Sequence, residues 1–335
     1  MVRSMHKRGD GLCVVWTQYQ RRAESICQEL GYEVWYCPPP FEKRALKPLS
    51  YLIQSAKMLV KIVRSKPAVV WFQMPPNFLV FIGDIAVALT GRRTLLVADC
   101  HNASLRKPWS TSPLSRRSLS HAQFILVHNA EVYQQALELG IDEKKLLIVE
   151  DLPASPVAGA SRMELPHPYA IVPCSFHPDE PILELLETAR LRPDIHFMVT
   201  GNLNRARLHG FVAAAPENVH FVGFLDQSDY DYLLINADIV MGLTKYEGIQ
   251  LSVAAEGLGA ERPMVLSKTQ ILQKMFKDAA CYTTHEPKAM AASISTAIEQ
   301  ADALVVNAKA LKAQRIADWR ATVKPILRSM KVQNQ

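Results

Sequence analysis

Asn218–Ser267 reads NVHFVGFLDQSDYDYLLINADIVMGLTKYEGIQLSVAAEGLGAERPMVLS. Three short apolar runs, Val219–Val222, Asp238–Gly242 and Pro263–Leu266, alternate in it with two stretches of helical character. Short runs of Val, Ile and Leu with no polar alternation belong to parallel strands that helices cover on both faces. The loop around Lys245–Gln250 opens into a helix near Leu251–Ala255. Its first backbone N–H groups have no intrahelical partner and form the positive end of the helix dipole, a ready site for a diphosphate.

The same alternation extends in both directions. Upstream in the second half it gives strands at Tyr169–Pro173 and Ile195–Thr200. In the first half it gives Leu12–Trp16, Glu33–Cys37, Ala68–Phe72, Thr94–Ala98, Phe124–His128 and Leu146–Val149. Leu152–Pro168, LPASPVAGASRMELPHP, breaks the rhythm as an interdomain linker does. The expectation is α/β: two Rossmann-like, doubly wound parallel-sheet domains, residues 1–155 and 156–315, facing a central cleft. A C-terminal helix, 316–335, would pack back on the first domain. Open α/β sheets bind ligands at the carboxyl ends of their strands, so that edge of each sheet is where site residues are sought.

With 335 residues, 49% of them hydrophobic, the chain can bury two cores. Its six cysteines are scattered, with no Cys-x-x-Cys pair, and fit a reducing cytosol. The basic N-terminus is followed by only a short apolar stretch, which argues against a secretory signal. Val69–Leu89 is interrupted by Gln73, Pro75, Pro76, Asn77 and Asp84, which suits strand, turn and helix rather than a membrane span. Of the net charge of +6, residues 1–151 carry +7 (20 Lys+Arg, 13 Asp+Glu) and the rest −1. The basic half is expected to face an anionic surface or ligand. No RNA- or DNA-binding module is recognisable, so nucleic acid is not an expected partner. Between Phe41 and Lys66, Leu49, Leu52, Ile53, Ala56, Leu59, Val60 and Val63 recur at helical spacing while Lys57, Lys61 and Arg64 share another face. Such a helix can lie on anionic lipid as well as against a core.

The order Val222-Gly223-Phe224, Ala237-Asp238, Glu247-Gly248, Glu256 and Arg262-Pro263 resembles the nucleotide-binding half of family 4-like GT-B glycosyltransferases. Asp99-Cys100-His101-Asn102, with Gln73-Met74-Pro75-Pro76, His128-Asn129, Asp151-Leu152-Pro153 and Ser175–Glu180, resembles the chitobiosyldiphosphodolichol β-mannosyltransferase group. These resemblances imply a GT-B fold and a nucleotide-sugar-dependent hexosyltransferase. Its donor would be UDP- or GDP-linked and its acceptor a lipid-linked or polysaccharide chain at the cytoplasmic membrane, with peripheral attachment. No obligatory metal or other cofactor is expected.

On that reading Gly223 and Phe224 form the wall for the base. Lys245, Gly248, Ile249, Gln250 and Leu251 form the phosphate loop with Arg205, and Glu256 binds the ribose. His101 and Asp99 are the acid/base candidates, because imidazole titrates near neutrality and a carboxylate can deprotonate a sugar hydroxyl. Glu247 is placed to reach the donor sugar. The family's two glutamates stand eight positions apart whereas Glu247 and Glu256 stand nine apart, which leaves the role of Glu247 open. Arg21, Arg22 and Asn102 are the acceptor-side candidates; Arg21 and Arg22 equally suit ordinary surface cations. A non-catalytic GT-B-like subunit that binds a glycan or nucleotide in a polysaccharide assembly complex is the alternative.

Overall fold

The computed structural model describes residues 11–41, 43–100, 102–111, 113–153, 156, 157, 159 and 163–333. Internal contacts divide the chain into two units, residues 1–152 with 317–335, and residues 153–316.

The first unit contains β1 (Gly11–Val15), α1 (Arg21–Leu30), β2 (Glu33–Tyr36), α2 (Lys47–Ser65), β3 (Val69–Met74), α3 (Leu79–Thr90) and β4 (Leu95–Cys100). These are followed by α4 (Pro113–Leu119), β5 (Phe124–Val127), α5 (Ala130–Glu138) and β6 (Leu146–Ile148). Its strands form one sheet in the order β2-β1-β3-β4-β5-β6, and the pairs are parallel. Every residue of β1, β3 and β4 is buried, which is why these strands read as unbroken apolar runs. Local chemistry sets the helix ends. Pro48 stands in the first turn of α2, where its missing N–H costs nothing, and Gly31 ends α1 in the left-handed conformation.

The second unit runs β7 (Tyr169–Pro173), α6 (Ile182–Leu191), β8 (His196–Thr200), α7 (Leu203–Leu208), α8 (Phe211–Ala214), β9 (Val219–Gly223) and α9 (Gln227–Asn236). It continues through β10 (Ile239–Gly242), α10 (Ser252–Ala260), β11 (Met264–Ser267), α11 (Gln270–Phe276), β12 (Cys281–Thr283) and α12 (Pro287–Glu299). Its parallel sheet has the order β12-β11-β10-β7-β8-β9. Strand β12 goes beyond the sequence reading. At three residues, Cys-Tyr-Thr, it is too short to carry a periodic signal, and pairing with β11 defines it.

The last helix, α13 (Ala301–Gln333), begins among second-unit residues, and from Ala317 onward its contacts are with the first unit. There Trp319, Val323, Ile326 and Met330 are buried, and the Arg320 guanidinium pairs with Glu29 at 2.6 Å. Two six-stranded parallel sheets, each flanked by helices, give the doubly wound α/β organisation read from the alternation.

Candidate functional site

In each sheet the chain reverses its direction of strand addition once, and the loops leaving the two strands at that point diverge to open a crevice. In the second unit the reversal lies between β7 and β10. The loop after β10 is tied to the loop after β7. The Lys245 N–H donates to the Asp179 carbonyl at 2.7 Å, and the Thr244 hydroxyl donates to the Asp179 carboxylate at 2.9 Å. The Thr244 N–H donates to Ser267 Oγ at 2.8 Å, and that oxygen lies 3.0 Å from His285 Nε2. The strand ends that surround the crevice are thereby fixed in place.

Gly248 has φ +76°, a conformation that costs a glycine nothing and most residues about 1 kcal/mol or more. The chain then enters α10 through Ile249, Gln250 and Leu251. Leu251 is extended and offers no side-chain cap, so α10 presents its first N–H groups and the positive end of its dipole at the carboxyl edge of the sheet. Glu256 lies one turn inside α10, half-buried, and accepts a hydrogen bond from the Tyr230 hydroxyl. Gly223 closes β9, and Phe224 follows it with its ring 79% exposed. The Lys245 ammonium pairs with Glu184 at 2.7 Å. Burial works to raise the Glu184 pKa, but the hydrogen bond from Lys245 and its charge hold it below the usual range. Arg205 donates to the Ser175 carbonyl at 2.8 Å and lies 3.4 Å from His177 Nε2. Glu247 is exposed, and its carboxylate accepts the first N–H of α11, from Gln270, at 3.0 Å. The nine-residue spacing thus coincides with a glutamate that caps the next helix.

One feature of this edge escaped the sequence reading. Glu180 accepts hydrogen bonds from the Ser175 N–H and hydroxyl and from the Phe176 N–H at 2.6–3.1 Å, with Phe176 held at φ +56°. A carboxylate of the chain thus fills the turn of N–H groups after β7.

In the first unit the expected acceptor side is arranged differently from the sequence reading. Arg22 is buried, not a surface or ligand-facing cation. Its Nε and one terminal nitrogen donate to the two Asp99 carboxylate oxygens at 2.9 and 3.0 Å. The same terminal nitrogen also donates to the Val149 carbonyl at 2.9 Å, and the other terminal nitrogen donates to Asp151 at 2.5 Å. Asp99 is wholly buried, accepts Trp71 Nε1 at 3.2 Å and lies 3.7 Å from His128 Nε2. Burial works to raise its pKa, but the Arg22 charge, the nearby His128 and the hydrogen bonds from Arg22 hold it well below the carboxylate range. Asp151 is lowered by Arg22 against the same effect of burial. For the arginine, burial acts downward and the two aspartates outweigh it. In this geometry Asp99 is a buried counter-ion, and Arg22 commits four of its five N–H donors within the chain. Arg21, half-buried, is the first residue of α1. Asn102 opens a 3-10 turn, Asn102–Leu105, and His101 lies outside the described residues.

The reversal point of the first sheet, between β1 and β3, carries an aromatic group that the sequence reading did not single out. Trp16 packs against Tyr51 and Phe78 at 6.0 and 5.8 Å between ring centres, and Phe78 against Trp109 at 6.2 Å. Gln73, the penultimate residue of β3, is buried with no hydrogen-bond partner for its side-chain amide among the described residues.

Residues 1–150 match the model of the glycosyl transferase 4-like domain. A search of curated protein sequences gives no match. Among solved structures the chain is similar to HepE of Anabaena in complex with UDP and glucose, at 15% identity over 96% of this chain and 92% of that one, with a TM-score of 0.63. It is also similar to sucrose-phosphate synthase of Thermosynechococcus elongatus, at 11% identity over 96% and 98% of the chains and a TM-score of 0.65. A third similar structure is UDP-GlcNAc 2-epimerase of Methanocaldococcus jannaschii, at 10% identity over 86% and 92%, with a TM-score of 0.56. At these identities the structural likeness speaks for the fold alone. Residues 1–150 are thus similar to the glycosyl transferase 4-like domain, and the chain as a whole has the GT-B fold.

Proposed function

We propose that the second unit binds a nucleotide-sugar, UDP- or GDP-linked, and that its sugar passes to a lipid-linked or polysaccharide acceptor held by the first unit at the cytoplasmic face of a membrane. The observation that carries the donor half is the uncapped start of α10 behind Gly248, at the β7–β10 reversal point, with Glu256 one turn inside the helix. The N–H groups there suit a diphosphate, and the Glu256 carboxylate suits ribose hydroxyls. HepE, of the same fold, was solved with UDP, which makes uridine the first base to test.

In this reading an acceptor hydroxyl attacks the anomeric carbon as the bond from that carbon to the diphosphate oxygen breaks. The α10 dipole, Lys245 and Arg205 stabilise the negative charge that develops on the leaving diphosphate. The hydroxyl's proton passes to a base; of the two candidates Asp99 is committed to Arg22, which leaves His101. Calorimetric titration with UDP, GDP and their sugar conjugates, followed by turnover with lipid-diphosphate acceptors, tests the proposal. Absence of both binding and turnover across the panel overturns it. The engagement of Glu247 with α11 favours a second reading, a binding subunit that holds nucleotide without transfer; binding without turnover on any acceptor is its signature.

A further inference from the structure

We infer that the outer face of α2 and α3 is a docking surface for an anionic lipid bilayer. The two helices pack side by side, and each turns apolar side chains away from the core. At about 100° per residue, Leu49, Leu52, Ala56 and Val60 fall within roughly 80° of one another, opposite the buried Met58 and Ile62. Leu52 is 68% exposed. On α3 the exposed stripe is Phe81, Ile85 and Leu89, opposite the buried Leu79, Gly83 and Ala86, and Leu89 is 63% exposed. A helix face of large apolar residues directed outward on two neighbouring helices marks an interaction surface rather than scattered surface leucines.

The charge around this face identifies the occupant. Residues 43–66 contain seven Lys and Arg and no Asp or Glu, and Arg92 and Arg93 follow α3. Beside the apolar stripe lies an open groove of about 630 Å³ in which Lys57, Lys61 and Arg64 surround Trp35 and Val60. Lys61 is paired with Glu33 at 2.6 Å. An indole, aliphatic side chains and a rim of cations match the acyl boundary and the phosphates of a bilayer surface in the same order. A second copy of the chain is disfavoured, because a symmetric contact would bring the two basic rims together. The inference deepens the acceptor reading above, on which it rests for its purpose, by naming the surface that would hold the protein at its substrate.

The experiment is co-sedimentation of the full chain with vesicles of phosphatidylcholine alone and of phosphatidylcholine mixed equally with phosphatidylglycerol, without donor or acceptor. Its failure is therefore distinct from failure of transfer. Partition onto the anionic vesicles, falling steeply with salt, is expected. Lys57→Ala with Arg64→Ala should weaken it about 30-fold, as two cations contribute about 1 kcal/mol each near such a surface. Leu52→Asp with Leu89→Asp should abolish it while UDP affinity stays unchanged. The inference is overturned by equal partition onto neutral vesicles, by no partition at all, by insensitivity to both variant pairs, or by a concentration-dependent dimer that Leu52→Asp disperses.

Discussion

Replacing Arg22 by alanine isolates a buried ion-pair network in the first unit. In the wild type four donor bonds leave the guanidinium for Asp99, Asp151 and the Val149 carbonyl. Asp151 keeps a partly open side chain and can rehydrate, at 31% exposure, whereas the Asp99 side chain is at 0%. Most of the penalty therefore falls on Asp99, which among the described residues keeps the Trp71 indole N–H and the more distant His128 as company. Removing one partner of a buried pair costs about 3–5 kcal/mol, so Arg22→Ala should lose that much at neutral pH. The pH dependence has a definite sign. The wild-type Asp99 carboxyl is depressed, so its contribution is complete above the ordinary carboxylate range and fades as pH falls towards the depressed folded pKa. Without Arg22, burial raises the same pKa above its unfolded value, and the variant gains relative stability as pH falls. The deficit should shrink from neutrality towards about pH 4. Urea unfolding followed by tryptophan fluorescence, with Trp71 bonded to Asp99 as a local reporter, measures it. The double substitution Arg22→Met with Asp99→Leu should recover much of the loss, because no uncompensated charge stays buried. A deficit under about 1 kcal/mol, or one that does not change with pH, refutes the reasoning.

Other outcomes follow from the donor edge. Gly201 has φ +127°, and a Cβ there would sit 2.0 Å from the Cys174 carbonyl oxygen. Gly201→Ala should therefore destabilise the second unit by about 2 kcal/mol or more in a thermal melt and displace the loop after β7. Lys245→Ala removes a cation at the proposed diphosphate site and should weaken UDP binding by about 1.5–3 kcal/mol, read by titration calorimetry; an unchanged affinity would place the leaving charge elsewhere. Tyr230→Phe leaves the Glu256 carboxylate without its hydroxyl partner and should weaken nucleotide binding about fivefold to tenfold, the worth of a hydrogen bond near 1 kcal/mol, with the fold intact by circular dichroism.

Much of the architecture was legible because a parallel sheet covered on both faces writes itself as apolar runs, as Val69–Met74 and Leu95–Cys100 do. The helix start at the β7–β10 reversal point was legible for a related reason, since Gly248, the first turn of α10 and Glu256 are close in sequence and their geometry is local. Arg22 was not. Two adjacent arginines at a helix start look like solvated cations, and only the fold brings Asp99 and Asp151 to one of them from 77 and 129 positions away. The aromatic group of Trp16, Tyr51, Phe78 and Trp109 is hidden in the same way, drawn from four separate segments. Glu180 was missed although its partners are four and five residues away. An acid after a proline turn gives no sign that its carboxylate will fold back on the turn's N–H groups.

The central claim is that the crevice at the start of α10 holds a nucleoside diphosphate through its backbone N–H groups and Glu256. Titration of UDP and GDP into the wild-type protein and into Glu256→Ala tests it most directly. Saturable binding of at least one nucleotide by the wild type, lost in a Glu256→Ala protein that unfolds at the same temperature, is the result predicted. Undiminished binding by Glu256→Ala, or no binding of either nucleotide by the wild type, would contradict it.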